Sequence, residues 1–127
     1  MRLTLEQVNK MYPELTSNGF DNDISSDLFQ YRKSFDAVCD WLDNNISKIK
    51  NINTKTGSYG LKHTCEDAIH HYIPNGIFIA SAIACGYKFK KISSPNACFN
   101  MSMKDINKFR YPLYRGHNGP CLDNLFK

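Results

Sequence analysis

The sequence predicts an α+β fold that is mainly helical, a single domain with a helix-turn-helix-like core and a small antiparallel β-hairpin. Three observations predict it. Apolar residues recur at helical spacing in residues 34–49, an apolar run fills residues 77–85, and residues 87–92 alternate between apolar and basic side chains. With 127 residues, 42% of them hydrophobic, the chain can bury one core and is too short for two ordinary domains.

Residues 1–49 form an acidic helical part. Thr4 is placed to cap a first helix, Gln7 holds the reciprocal position of a capping box, and Pro13 bars continuation. After a turn-rich segment, Ser34 is predicted to cap a second helix. The apolar stripe of that helix consists of Phe35, Val38, Leu42 and Ile49.

Residues 50–58, KNINTKTGS, are predicted to form a polar, basic linker. The following helix, GLKHTCEDAIHHYI, turns an apolar face inward, made of Leu61, Cys65, Ala68, Ile69 and Tyr72. Pro74-Asn75-Gly76 signals a tight turn, and residues 77–85 then form a short buried helix that ends at Gly86. A buried strand fits residues 77–83 nearly as well, but the three alanines of the run favour the helix.

YKFKKI and ACFNMS are predicted to pair as a β-hairpin across a turn in residues 93–96. Ser102 and Asp105 are spaced to start a further short helix. Residues 59–110 thus hold a helical hairpin and a β-hairpin, and residues 111–127 are predicted to form an irregular tail that wraps the domain.

Charge is divided unevenly along the chain. Residues 1–46 hold four basic and eight acidic residues, and residues 47–127 hold twelve basic and four acidic ones, for a net charge of +4. The basic C-terminal half is either a well-solvated surface or a face that meets an acidic protein or the phosphates of nucleic acid.

The five cysteines are an odd number, widely spaced and without a C-x-x-C pair, which argues against a disulfide framework and a structural zinc site. The first ten residues, MRLTLEQVNK, lack the apolar core of a signal peptide. The longest apolar run is far shorter than the roughly 20 residues of a membrane span. We therefore expect a cytoplasmic protein with reduced thiols and no membrane partner.

A helix, a tight turn, a second helix and a basic hairpin follow one another in the order of a winged helix-turn-helix. Lys88, Lys90 and Lys91 would contact phosphates from the hairpin. The second helix is poorly suited to recognise bases, because Ser81 is its one polar side chain. A winged-helix DNA-binding regulator is nevertheless one alternative function.

A metal-dependent enzyme is the other alternative. His63, Glu66 and His70 lie at helical spacings that can place two ligands on one metal ion. The order H-T-C-E-D-A-I-H matches neither H-E-x-x-H nor its inverse. No nucleophile motif and no phosphate-binding glycine loop is present in the sequence, so we expect no enzymatic activity and no cofactor.

Tyrosines are numerous and several stand beside basic residues, which suits a macromolecular interface or single-stranded nucleic acid. Those expected at the surface are Tyr31, Tyr59, Tyr72, Tyr87, Tyr111 and Tyr114. Together with the three hairpin lysines, the predicted partner-binding residues are Tyr87, Arg110, Tyr111 and Arg115.

Three segments, SYGLKH, NG-x-FI-x-A and PNA-x-FN, fall within residues 58–102. This pattern resembles one found in small proteins of phages and mobile elements. The resemblance implies an accessory gene, a setting typical of inhibitors of host defence such as anti-CRISPR proteins. The leading functional hypothesis is a non-enzymatic protein that inhibits a host defence or regulatory complex by binding a host protein or nucleoprotein.

Overall fold

The computed structural model describes residues 2–22 and 28–110 of the chain. In these ranges the helices are α1 (Leu5–Met11), α2 (Arg32–Asn45), α3 (Ser58–Ile69), α4 (Asn75–Ala84) and α5 (Met103–Arg110), and a 3₁₀ helix at Leu28–Tyr31 precedes α2. The strands are β1 (Leu15–Thr16), β2 (Gly19–Phe20), β3 (Lys48–Asn53), β4 (Phe89–Lys91) and β5 (Ala97–Met101). The predicted single-domain α+β class, mainly helical, is confirmed.

Helix α1 begins with the predicted capping box. The backbone N–H of Gln7 donates to Thr4 Oγ1 at 3.1 Å, and the N–H of Thr4 donates to Gln7 Oε1 at 2.8 Å. Two of the free N–H groups at the helix start are thereby satisfied. Leu5 and Val8 then bury the inner face of the helix.

Helix α4 forms the centre of the core. All ten of its residues are buried, and α1, α2 and α3 pack around it. Its Phe78 meets Phe99 of β5 edge to face, with ring centroids 6.0 Å apart. Gly86 follows with φ of +90°, a conformation that suits glycine after a helix end. The predicted helix, rather than the alternative strand, is confirmed.

Strands β3, β5 and β4 form an antiparallel sheet in that order. The predicted hairpin is β4 and β5, with Phe89 opposite Phe99. The predicted linker at residues 50–58 is wrong in its first half, which belongs to β3. This edge strand is mostly exposed and rich in Lys and Asn, so it lacks the apolar alternation of a half-buried strand. Asn100 Nδ2 ties it to the centre by donating to Ile49 O at 2.8 Å.

Two side chains, one in α2 and one after α3, lie elsewhere than the helical patterns predict. Ser34 does not cap α2, which begins two residues earlier; its buried hydroxyl lies 2.8 Å from His71 Nε2. Tyr72 is not on the inward face that the helical pattern predicts but is 64% exposed, as expected of the surface tyrosines. The reason is the left-handed conformation of His70, with φ of +56°, which ends α3 and turns Ile73 into the core instead.

Helix α5 starts as expected at Ser102, whose Oγ accepts the N–H of Asp105 at 3.2 Å. The carboxylate of Asp105 does not complete a capping box; it accepts the N–H of Ser47 at 2.8 Å and joins α5 to the segment before β3. The predicted irregular tail, residues 111–127, lies outside the described residues. Within the described ranges, no helix has the length and apolar character needed to span a bilayer.

Tyr87 is a correction to the predicted exposed aromatics, because it is 4% exposed and lies beneath the end of α2. Its hydroxyl donates to the carbonyl of Leu42 at 3.1 Å and also to that of Ile46. Burial raises the pKa of Tyr87 well above its ordinary value. The ring therefore supports the α2 terminus and is not available to a partner.

Tyr87→Phe is expected to lower the free energy of unfolding by about 1 kcal/mol at neutral pH, the contribution of one buried hydrogen bond. Because the folded-state pKa is raised, the stabilisation is complete below about pH 10 and is lost as the pH rises towards the folded pKa. Urea unfolding should show that the difference in free energy of unfolding between the unmodified protein and Tyr87→Phe is smaller at about pH 11 than at about pH 8. Burial raises the pKa of Cys65 to about 12, so this thiol also affects stability at high pH. Because both proteins contain Cys65, its effect cancels in the difference. A gap that does not change with pH would contradict this role.

Candidate functional site

The three lysines predicted to bind a partner do not share one face. Lys88 and Lys90 are exposed on one side of β4, whereas Lys91 lies on the other side because side chains alternate along a strand. Lys91 Nζ stands 2.8 Å from Glu14 Oε2 and 4.6 Å from the centre of the Phe20 ring. Lys91 is thus engaged by its own chain, and the predicted surface is left with two lysines.

Arg110, also predicted for that surface, lies at the end of α5. Its Nε donates to Thr64 Oγ1 at 2.8 Å, and its Nη2 donates to Thr56 Oγ1 at 2.7 Å. These bonds hold α5 against α3. Two further residues predicted for the surface lie outside the described ranges, Tyr111 and Arg115.

The candidate metal ligands are dispersed by the end of α3. His63 Nδ1 lies 2.9 Å from Glu66 Oε1, but His70 follows the last turn in the left-handed conformation. Glu66 Oε2 accepts the N–H of Ile73 at 2.9 Å and lies 3.4 Å from Lys62 Nζ. Across the described part of the chain, no three His, Cys, Asp or Glu side chains are grouped to hold a metal ion. Glu66 instead joins α3 to the segment that leads into α4.

The winged-helix alternative requires α4 to enter a DNA groove. A recognition helix presents side chains to base edges, but α4 is buried along its whole length. Ser81 donates its hydroxyl to Ile77 O at 2.8 Å inside the core. Helix α4 therefore presents no side chains that could serve as the recognition helix of the winged-helix alternative.

A cleft of about 510 Å³ lies where the β1–β2, α3–α4 and β4–β5 turns meet beside the start of α3. Its aromatic and proline walls are Tyr31, Tyr59, Tyr72, Pro74 and Pro95. Its polar lining includes Asn18, Asp21, Lys62, Asn75 and Asn96. A volume of this size suits a small ligand or one projecting group of a larger partner.

Two glycines allow the turns to approach so closely. A Cβ on Gly76 would stand 1.6 Å from Thr16 O, and one on Gly19 would stand 2.3 Å from Pro95 O. The N–H of Gly76 donates to Ser17 O at 2.9 Å across this contact. Backbone therefore packs directly on backbone behind the cleft, where no other residue type fits.

The side chain of Asn75 links all three turns at the cleft. Its Nδ2 donates to Asn18 O at 2.8 Å and to Asn96 Oδ1 at 2.9 Å, so both amide hydrogens are used. This pairing fixes which end of the amide carries oxygen. The remaining atom, Oδ1, is buried and has no hydrogen-bond partner among the described residues.

Lys62 supports the two most exposed tyrosines of the cleft. Its Nζ lies 5.3 Å from the ring centres of both Tyr59 and Tyr72. The side chain of Lys62 is only 9% exposed, whereas Tyr59 is 57% and Tyr72 is 64% exposed. One buried cation thus holds two exposed rings through cation–π attraction.

No protein-family model matches this chain. No curated protein and no solved structure matches it either. The chemistry of the cleft is therefore inferred from its own residues and their contacts.

The sequence indicates exposed tyrosines but not that Tyr31, Tyr59 and Tyr72 line one cleft. Lys62 could have been found from its i,i+3 spacing to Tyr59 on a predicted helix, since such side chains are neighbours. Asn75 is recognisable from sequence only as part of a turn signal. Its contacts depend on turns distant in sequence, so no local pattern reveals them.

Proposed function

We propose that this protein is a non-enzymatic binding protein of a phage or mobile element that inhibits a host defence or regulatory complex. It does so by occupying a macromolecular surface through the tyrosine cleft. The observation that carries this proposal is the pair Tyr59 and Tyr72, both more than half exposed and both held by the buried Lys62. Exposed tyrosines in fixed positions are typical of the residues that dominate binding energy at interfaces.

Preorganisation favours binding at this place. A tyrosine that is already held in position loses little side-chain entropy when a partner covers it. Cation–π contact with Lys62 restrains both rings, and His63 packs edge to face on Tyr59 with ring centroids 4.6 Å apart. The rim of the cleft is therefore built to keep two aromatic surfaces exposed.

The resemblance to phage and mobile-element proteins also supports the cleft as the binding surface. Each of its three segments contributes to the cleft: SYGLKH supplies Tyr59 and Lys62, NG-x-FI-x-A supplies Asn75, and PNA-x-FN supplies Pro95 and Asn96. Segments separated along the chain thus meet at one surface. This convergence supports a shared binding role for them.

The test is affinity capture from a host lysate, followed by reconstitution with the purified partner. Tyr59→Ala/Tyr72→Ala is expected to weaken the reconstituted complex at least about 30-fold, since one hot-spot residue contributes about 2 kcal/mol or more. Met11→Ala is the matched control, because Met11 is 53% exposed on α1 and does not line the cleft. A partner that binds the double variant normally would contradict the proposal, as would substrate turnover by the purified protein.

A further inference from the structure

Four exposed lysines lie on the two edges of the three-stranded sheet. Lys48 and Lys50 belong to the edge strand β3, and Lys88 and Lys90 lie at the start of the other edge strand, β4. None of the four lines the tyrosine cleft. These four residues are called the lysine face below.

A buried amide on the central strand joins the two edges. Asn100 is 4% exposed, its Nδ2 donates to Ile49 O at 2.8 Å, and its Oδ1 accepts the N–H of Lys88 at 2.7 Å. Ile49 lies between Lys48 and Lys50 in sequence. Since neighbouring strands are about 4.8 Å apart, the two edges are separated by about 10 Å. The backbone of both lysine pairs is therefore held on either side of one side chain.

The side chain of Lys48 reaches across to the other edge. Its Nζ lies 4.6 Å from the ring centre of the buried Tyr87, and its Cε would be 3.7 Å from a Cβ on Gly86. These contacts place Lys48 against the segment that leads into Lys88. Lys90 shares its side of the strand with Lys88, because side chains alternate along a strand. The lysines of both edges thus form one surface.

The charges of the lysine face are not neutralised by ion pairs. Across residues 2–22 and 28–110, no carboxylate forms an ion pair with any of its four lysines. Cations elsewhere do have a carboxylate partner, namely Arg2, Arg32, Lys62 and Lys91. Charges about one Debye length apart, roughly 10 Å at 0.1 M salt, reinforce one another. The lysine face is therefore suited to a ligand that carries several negative charges.

The residue types of this surface favour a nucleic-acid duplex. Protein interfaces are depleted in lysine and enriched in aromatic residues and arginine. Single strands are bound by exposed aromatic rings, on which their bases stack. The exposed rings of the described residues, Phe29, Tyr59 and Tyr72, belong to other parts of the fold. A DNA duplex keeps its bases stacked inside and presents one phosphate per about 1.7 Å of its axis, which suits lysine as a point charge.

We infer that the lysine face binds the phosphate backbone of duplex DNA without recognising its sequence. The four ammonium groups donate hydrogen bonds to phosphate oxygens and displace counterions from the duplex. Base recognition is not expected, because the lysine face consists of side chains that contact phosphates and the helix α4 is buried. This inference goes beyond the proposed function, because it assigns a ligand to a different surface.

The test measures binding of a labelled DNA duplex by fluorescence anisotropy at two salt concentrations. Four phosphate contacts predict a logarithmic salt slope of about −3.6, which is a loss of affinity of about 150-fold between about 50 mM and about 200 mM salt. Lys50→Gln/Lys90→Gln removes two of these contacts, so the slope should fall to about −1.8 and the loss to about 12-fold. Duplexes of unrelated sequence should bind equally.

Lys10→Gln/Lys33→Gln is the matched control, because it changes the net charge by the same amount. Lys10 is exposed on α1, and Lys33 is exposed in the first turn of α2, whereas β3 follows the other end of that helix. We expect this variant to keep the salt slope of the unmodified protein. If both double variants reduced the slope equally, binding would reflect net charge alone and the inference would be overturned.

Three further outcomes would also overturn it. They are no binding of the duplex at about 50 mM salt, tighter binding of a single strand than of the duplex, and equal displacement of the duplex by an oligoglutamate of the same charge. The last would identify an acidic protein as the partner. The proposed function is tested by Tyr59→Ala/Tyr72→Ala, which leaves the lysine face unchanged, so each proposal can fail without the other.

Discussion

Gly76→Ala is expected to destabilise the fold by at least about 4 kcal/mol, an exceptionally large effect for one methyl group. The new Cβ would stand 1.6 Å from Thr16 O and 2.9 Å from Gly19 N, and both are backbone atoms that no rotamer change can move. Relief requires β1 and the start of α4 to separate, which breaks the bond from Gly76 N–H to Ser17 O. Urea unfolding followed by circular dichroism measures the loss.

Gly60→Ala is the matched control for that substitution. Gly60 lies in α3, and its added Cβ would meet only the side-chain ends of Arg110 and Thr56, each at 3.3 Å. Alanine is favoured over glycine inside a helix by about 1 kcal/mol, which offsets a small adjustment of these groups. We expect stability within about 1 kcal/mol of the unmodified protein. Equal stability of the two alanine variants would disprove the close backbone contact at Gly76.

Glu66→Ala is expected to cost about 3 kcal/mol, the lower end of the range for removing one partner of a buried ion pair. The substitution leaves Lys62 nearly buried without its carboxylate and leaves the N–H of Ile73 without an acceptor. Thermal or urea unfolding should show the loss with the purified protein, independent of any added metal. A loss of this size would show that the Glu66 carboxylate supports the fold. A surface carboxylate that served only as a metal ligand would cost little stability when removed.

Two further substitutions, one at the same position and one at the next, serve as comparisons for the loss of stability in Glu66→Ala. Glu66→Gln retains an oxygen for the N–H of Ile73 and should lose less stability than Glu66→Ala. Asp67→Ala removes an exposed carboxylate one residue later and should stay within about 0.5 kcal/mol of the unmodified protein. If Glu66→Ala proved as stable as Asp67→Ala, the assignment of Glu66 as the link between α3 and α4 would be refuted.

Features set by neighbours in sequence are predictable from the sequence. Three such features each depend only on residues within one or two helical turns: the capping box of Thr4 and Gln7, the buried run of α4 and the left-handed conformation of Gly86. The hairpin of β4 and β5 is also local, because one short turn joins its strands. These elements define the fold class without any long-range information.

The failures at β3, Ser34 and Tyr87 involve partners that are distant along the chain. Strand β3 is polar because it lies at an edge, and only its pairing with β5 makes it a strand. Ser34 is buried by the segment that contains His71, and Tyr87 by the end of α2. The cleft depends most strongly on such contacts, because Asn75 joins turns that precede and follow it.

The residues at the cleft fall into two groups that differ in how well they tolerate substitution. Gly76, Gly19 and the amide of Asn75 carry the architecture, and their replacement disturbs the whole domain. Tyr59 and Tyr72 project outward, and their replacement costs the fold little. Under the proposed binding role, substitutions at the rim would therefore alter specificity while the scaffold stays constant, and a changing partner would be followed without loss of the fold.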